Sequence, residues 1–353
     1  MSGPRIAQDA TGRSSSALPS GEPGMGARRA PSAAAVPFPL TVLAVEDLGP
    51  RLRRITLGGV SLLRFATDDG ATWDLRVKVL VPSPGHTLPP ADVFAPKGWR
   101  QAWLGLPENA RGHLRSYTVR EARLEEAYPE IDIDFVLHPH GPQGPAAQWA
   151  RTAAPGDQAL VLGPATRPGS PEQAGVEFAP GAARHVLLAG DETALPAIAG
   201  ILRDLPAGAT AQAIIEVPDG HLVRGMPTGA DAAIEWLVRG TAPHGERLTE
   251  AVRRAVPAPL RSPGPAVLNR ALAAEPLDIG PERELLWDTP QYRRLFSAGE
   301  PDGHGMPGDA VYVWIAGEST MVTALRRYLV RDCGLDRGQV AFMGYWKHGV
   351  AQH

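Results

Sequence analysis

Arg115-Ser-Tyr-Thr-Val-Arg120 is the stretch on which the fold of this chain turns. In an extended strand, alternate residues share a face. Arg115, Tyr117 and Val119 then point one way, and Ser116, Thr118 and Arg120 the other. A guanidinium forks onto phosphate, a phenol offers a flat face, and a threonine hydroxyl reaches a ring nitrogen. That set suits a phosphorylated planar cofactor. The same six residues also describe an edge strand with a solvated charged face, and the flanking sequence has to choose.

Working outward, short strands are expected at 41–45, 52–57, 75–81, 116–119, 131–137 and 158–162, set apart by turns such as Leu57-Gly58-Gly59 and Pro155-Gly156-Asp157. Six short strands of this kind predict a small antiparallel barrel. In the third, Leu75, Val77 and Val79 share one face and Arg76, Lys78 and Leu80 the other. The long segment 82–115 carries Phe94, Trp99 and Trp103 and has the length of a lid or binding loop. After the fifth strand, His138-Pro-His-Gly-Pro-Gln leads into Gly144-Pro-Ala-Ala-Gln-Trp149. Pro145 suits the first position of a helix. The free N–H groups at such a start either form an anion site or open a helix that plugs the barrel.

The texture changes near Arg184. An apolar run over 185–189 predicts a buried parallel strand. Strands at 211–217, 234–238, 311–316 and 340–344 alternate with helices after Pro196 and over 248–256 and 319–330, which indicates an α/β domain with a parallel sheet. The expected division is a leader over 1–36, a barrel domain over 37–175 and the α/β domain over 176–353. An insertion at about 258–308 carries one helix over 281–296. The first strand-to-helix turn, Gly190-Asp-Glu-Thr-Ala-Leu-Pro196, is not a glycine-rich phosphate cradle, because Asp191 and Glu192 repel phosphate. Thr193 is placed to cap the helix, while the acids either meet a ribose hydroxyl or favour the helix dipole. Glu216 stands where a ribose-binding acid is expected. Arg239 stands where it meets a 2′-phosphate, and both residues fit solvated strand ends as well.

Bulk properties narrow the class. A chain of 353 residues with 43% hydrophobic residues is a soluble two-domain size. A net charge of −3 argues against a nucleic-acid binder. The lone Cys333 forms no internal disulfide and holds no Fe–S cluster; it is expected as an apolar filler at a helix end. His138 and His140 alone do not make a metal site. Arg28-Arg29 could open an export signal, but Pro37 and Pro39 interrupt the apolar region behind it, and a leader plus strand is expected. No apolar run is long enough to span a bilayer. A cytoplasmic monomer without membrane insertion is expected. Lysine occurs only at Lys78, Lys97 and Lys347.

A strand barrel ahead of an α/β domain suggests the ferredoxin–NADP reductase architecture. Five motifs narrow this in order: Arg-Ser-Tyr-Thr-Val-Arg, Asp-Phe-Val-Leu-His with Gly-Pro-Ala-x-x-Trp-Ala, Gly-Asp-Glu-Thr-Ala-Leu-Pro, Trp-Ile-Ala-Gly-Glu, and Gly-Tyr-Trp near the end. Together they resemble the siderophore-interacting protein family of NAD(P)H-dependent ferric-siderophore reductases. The resemblance implies an FAD-binding barrel in which Arg115, Tyr117 and Thr118 contact the flavin and its phosphates. It implies that His138, Gly144, Pro145 and Ala146 contribute to the pyrophosphate site, with Ala147 where the family often has a small hydroxyl residue. Asp191, Glu192, Thr193, Gly317 and Glu318 match the nicotinamide-domain motifs, and Trp346 or Tyr345 comes near the isoalloxazine.

The implied activity passes electrons from NADPH or NADH through FAD to a ferric siderophore, releasing Fe(II). Tyr117 and Thr118 are the candidate catalytic residues. Lys78 and Lys347 are the candidates for attracting an anionic chelate, with Arg76 expected to be a plain surface charge. No protein metal ligand is needed, since the iron arrives in its chelator. A general flavin reductase with another acceptor, or a non-catalytic flavin or siderophore binder, shares most of these features.

Overall fold

The computed structural model describes residues 35–94, 98–137, 144–166, 175–256, 286–290 and 310–349. Strands β1 (Val36–Asp47), β2 (Leu52–Gly58), β3 (Arg76–Val81), β4 (His113–Arg123), β5 (Glu130–Val136) and β6 (Gln158–Gly163) close into an antiparallel barrel in the order β1-β2-β5-β4-β3-β6. Alternation supplies its interior: Phe38, Leu40, Ile55, Leu57, Val77, Val79, Ile133 and Phe135 are all fully buried. Pro37 and Pro39 lie within β1, where it pairs with β6 alone and a missing N–H breaks no ladder on the other side.

Strand β4 changes partners along its length. From His113 to Thr118 it pairs with β3, and from Val119 onward with β5, with a register shift between Val119 and Glu121. Thr118 therefore stands where the strand changes neighbours. Helix α1 (Trp99–Leu104) lies in the long segment expected to be a lid. Phe94 and Trp103 from that segment instead pack down on Leu80, Leu114, Leu160 and Leu162 of the barrel's outer wall, because two large aromatics bury better there than over solvent. Helix α2 (Pro145–Thr152) rests against β2, β3, β4 and β5, with Ala146 and Ala150 buried in the barrel core.

The second half is a six-stranded sheet in the order β10-β12-β11-β7-β8-β9, with β10 the two residues Trp287–Asp288. Strands β7 (His185–Gly190), β8 (Thr210–Val217), β9 (Asp231–Val238), β11 (Val311–Glu318) and β12 (Val340–Trp346) are parallel. Helices α3 (Leu195–Asp204), α4 (Glu246–Ala255) and α5 (Ser319–Arg327) follow β7, β9 and β11. Cys333 is 2% exposed just past the end of the helical stretch that continues α5, as a filler should be.

The helix expected over 281–296 is not what the described part shows: Trp287–Asp288 is a strand, β10, antiparallel to β12. Tertiary partners override local propensity here. Asp288 is 1% exposed and accepts from Arg326 Nε at 2.8 Å and from Arg337 Nη2 at 3.0 Å. Pro290 is helical, and positions 281–285 and 291–296 lie outside the described residues.

Barrel and sheet meet through α3. Its Gly200 lies so close to Trp73 that a Cβ would sit 2.1 Å from the Trp73 carbonyl oxygen. Asp204 accepts from the Thr72 and Trp73 N–H groups at 2.8 and 2.7 Å. Among the described residues, no helix is long and apolar enough to cross a membrane.

Candidate functional site

In the β3–β4 ladder, Arg115 faces Val79, Tyr117 faces Val77, Ser116 faces Lys78 and Thr118 faces Arg76. Val77 and Val79 belong to the barrel core. Arg115 and Tyr117 therefore share the inner side, while Lys78, Ser116, Arg76 and Thr118 share the outer wall. Arg115 is half-buried, and its Nη1 donates to the Leu114 carbonyl at 2.8 Å. Tyr117 leans on Phe135 with ring centroids 4.3 Å apart, and Phe135 on Trp149 at 5.8 Å. Burial pushes the Tyr117 phenol well up, against the pull of Arg115. On the outer wall, Lys78 Nζ donates to Ser116 Oγ at 3.2 Å.

Thr118 is 8% exposed and hydrogen-bonds Tyr345 of β12. The barrel stretch that opened the sequence thus touches the last strand of the sheet. Tyr345 stacks on Trp287 at 6.1 Å and meets Trp314 edge-on at 6.5 Å. Arg76 lies 4.4 Å over the Trp287 ring and pairs with Glu177 at 3.8 Å. Its expected role as a plain surface charge is thereby corrected: a half-buried guanidinium here covers an aromatic face. Behind them Asp74 accepts from Glu177 N, Phe178 N and Trp314 Nε1 at 3.0, 3.1 and 2.8 Å. Burial, only partly offset by those donors, lifts its carboxyl to about 6.

Gly144, Pro145 and Ala146 are the N-cap and first two residues of α2, and no side chain caps that helix. Its opening N–H groups, with Arg115 on the adjacent β4, are the donor chemistry a diphosphate needs, so the residues present fit FAD. His138 lies outside the described residues.

The carboxyl end of the sheet is crowded with acids. Asp191 is fully buried and caps the turn before α3 itself, accepting from the Thr193 N–H at 2.9 Å and from its hydroxyl. The expected Thr193 cap is thus reversed: Thr193 donates and Asp191 accepts, because a carboxylate takes two donors at once. The other Asp191 oxygen accepts from Glu318 N at 2.8 Å and from Trp346 Nε1 at 2.9 Å. A Cβ on Gly317, at φ 142°, would lie 2.6 Å from that oxygen, so only glycine allows the approach. Burial first, then Glu192, pushes the Asp191 carboxyl up, while His244 at 3.4 Å pulls it down. Glu318 caps α5 through the Thr320 and Met321 N–H groups at 2.7 and 3.0 Å and reaches His348 N at 3.3 Å. Lys347 is half-buried between Trp346 and His348.

Glu216 and Arg239 are not solvated strand ends. Glu216 is fully buried and accepts from Gly245 N, Leu248 N and Arg239 Nη1 at 2.8, 3.1 and 3.0 Å. Arg239 also forks onto Glu192 at 3.1 and 3.2 Å. Both are occupied inside the protein, so a ribose or 2′-phosphate role for them is set aside.

Trp287, Asp74 and Glu177 escaped sequence reasoning, and Trp314 entered it only as the first residue of the Trp-Ile-Ala-Gly-Glu motif. Asp74 reaches Phe178 and Trp314 across 104 and 240 positions, and no local pattern marks such a contact.

Residues 41–168 match the model of the siderophore-interacting FAD-binding domain, and residues 183–349 match that of the siderophore-interacting protein. The chain is 27% identical over 298 residues to the ferric vibriobactin reductase ViuB of Vibrio cholerae, covering 84% of each. It is 31% identical over 216 residues to the NADPH-dependent ferric-chelate reductase of Escherichia coli, covering 60% of this chain and 73% of that one. The siderophore-interacting protein SipS from Aeromonas hydrophila superposes with a TM-score of 0.57 at 26% identity, over 90% of this chain and 94% of that one. The chain belongs to the siderophore-interacting protein family, with an FAD-binding barrel ahead of a parallel sheet.

Proposed function

We propose that this protein is a ferric-siderophore reductase that works inside the cell, taking electrons from NAD(P)H and passing them to Fe(III) held in a siderophore. The observation that carries this is the contact of Thr118, on the barrel's outer wall, with Tyr345, on the last strand of the sheet. It makes a junction lined by aromatics and flanked by Lys78, where a flat redox cofactor held by one half meets a nucleotide held by the other. The barrel domain, 37–175, takes FAD and the α/β domain, 176–353, takes the nicotinamide. The names of the Vibrio and Escherichia relatives support the ferric acceptor, and the latter supports NADPH as donor.

FAD, when bound, divides the donor's electron pair into the single electrons that ferric iron accepts. The rest falls to the chain's own residues. Arg115 and the opening N–H groups of α2, at Gly144 and Ala146, hold the diphosphate, and Pro145, which has no N–H, fixes the start of the helix. Tyr117 sets the ring plane, and the Thr118 hydroxyl offers the ring edge a hydrogen bond. Asp191, Gly317 and Glu318 hold the turn, α5 and Trp346 together; Thr193 completes that turn with Glu192. Tyr345 and Trp346 close the site and yield when the nicotinamide arrives. Lys78 and Lys347 draw in chelates of negative charge. One NAD(P)H reduces two Fe(III) to two Fe(II), leaving NAD(P)+ and one proton. Fe(II) is a weaker Lewis acid toward hard oxygen donors, so the chelate loosens.

The test is anaerobic. NADPH should bleach the yellow protein, and a ferric siderophore with a ferrous trap should then yield two trapped Fe(II) per NADPH. Bleaching without trapped Fe(II) points to another acceptor, and a protein that neither NADPH nor NADH bleaches is not a reductase. Thr118→Val should keep its FAD and slow reduction roughly tenfold, the worth of about one hydrogen bond. Arg115→Ala should instead lower FAD occupancy.

A further inference from the structure

A second polar site lies further along the outer wall, where β2, β4 and β5 face α3. Arg54, Arg120 and Asp134 from the barrel and Leu195, Pro196, Ala199 and Arg224 from the other half enclose a cavity of about 40 Å³. Charge within it does not balance. Both oxygens of Asp134 are taken by Arg54, at 2.7 and 2.9 Å. Arg203, beside Arg120, is held by Asp204 at 2.6 and 2.8 Å and spends its Nη1 on the Arg120 carbonyl at 2.7 Å. Among the described residues, Arg224 donates to the neutral carbonyls of Leu222 and Leu48, at 3.2 and 3.0 Å. The Arg120 Nη1 is sealed from solvent and has no hydrogen-bond partner among the described residues. Glu46 and Glu121 are the other acids acting on this group, but neither pairs with Arg120 or Arg224 among the described residues.

Two guanidinium groups without a carboxylate, and one buried donor without an acceptor, call for an anion, since leaving such a donor unmade is costly. Burial, Arg203 and Arg54 together push Arg120 down, and burial does most to push Arg224 down. An anion relieves both. Planar guanidinium forks fit tetrahedral oxyanions. The space corresponds to roughly three waters at ~10–15 Å³ each, the scale of one such ion.

We propose that the Arg54–Arg120–Arg224 cavity is a binding site for one phosphate-type oxyanion, which ties the barrel to the sheet half. The site is separate from the Thr118–Tyr345 junction and stands whether or not the chain reduces ferric siderophores. The oxyanion is either free inorganic phosphate or a phosphate group of a nucleotide bound to the sheet half.

The experiment uses the full-length protein in buffer free of oxyanions. Sodium phosphate, at ionic strength matched with sodium chloride, should raise the melting temperature saturably. Arg120→Met and Arg224→Met should each weaken the phosphate half-saturation at least tenfold, while Arg254→Met, on the exposed side of α4, should leave it unchanged. Because Arg203 holds the Arg120 backbone carbonyl rather than its side chain, Arg120→Met should fold, and without phosphate it should melt no lower than wild type. Competition separates the sources. If 2′,5′-ADP displaces phosphate and loses affinity in Arg120→Met, the group belongs to a nucleotide; if it binds independently of phosphate, the ion is free. Phosphate no better than chloride, or a phosphate response intact in both arginine variants, overturns the site.

Discussion

Two regions flank the junction and are charged in opposite senses. At the carboxyl end of the sheet, Asp191, Glu192, Glu216 and Glu318 are all buried, with Arg239 bridging Glu192 and Glu216. On the barrel wall, Arg54, Arg120, Arg203 and Arg224 gather around Asp134 and Asp204. The acids are nevertheless satisfied. Their surplus is met by backbone N–H groups: Glu216 caps α4, Glu318 caps α5, and Asp191 holds Thr193 and Glu318. Helix N-termini offer donors and positive potential in abundance. Guanidinium groups have no matching supply, because their surplus needs acceptors and most barrel carbonyls are spent on the ladder. Buried carboxylates can be absorbed by the fold, whereas buried arginines in excess ask for a ligand.

The difference is sharpest where a side chain is removed. Asp191→Ala strips acceptors from Thr193, the Glu318 N–H and Trp346 at once, and should cost about 4 kcal/mol in urea unfolding, with a red shift in tryptophan emission as Trp346 is freed. Glu216→Gln keeps one cap but turns an amide toward N–H donors and unbalances Arg239. A loss of about 2 kcal/mol is expected. A change under about 0.5 kcal/mol in either would break the comparison.

Acidity gives a third, smaller contrast. Burial works against the Asp132 carboxylate, but the Arg123 fork at 2.8 and 2.9 Å and the Thr56 hydroxyl at 2.8 Å hold it below the usual range. Its stabilisation is present above the unfolded carboxylate pKa and is lost as pH falls through the lowered folded value. Asp191, raised in the fold, runs the other way: its favourable share is present in acid and is lost as pH rises through the raised value. Asp132→Asn should therefore be less stable than wild type at pH 7 by about 1 kcal/mol, and urea midpoints at pH 7, 5 and 3 should show that gap closing. A gap that widens in acid contradicts the placement. Smallest of all is Arg120→Met in oxyanion-free buffer, expected within about 0.5 kcal/mol of wild type, as a cation with no carboxylate partner has little to lose.

Much of this is legible locally. Alternation over Leu75 to Leu80 puts Val77 and Val79 inside and Arg76 and Lys78 outside, as the β3–β4 register has them. Pro145 opens α2 where a first-turn proline should. The acids of the Gly190 turn mark it as no phosphate cradle, but local sequence does not say which of its residues caps, since a carboxylate and a hydroxyl two positions apart can each serve. Trp287–Asp288 reads as helix in isolation because its strand exists only through β12, Arg326 and Arg337, which lie 38 or more residues away.

The sequence by itself determined the two architectures, their order, and which side chains share a strand face, because the strand period of two and the caps and breakers of helices act within a few residues. Tertiary structure alone decided which faces meet. It brought Thr118 to Tyr345, laid Arg76 over Trp287, turned Glu216 and Arg239 inward, and left the Arg120 Nη1 without an acceptor among the described residues. Those outcomes depend on contacts between segments distant along the chain, where burial and charge are settled by whatever packs against them.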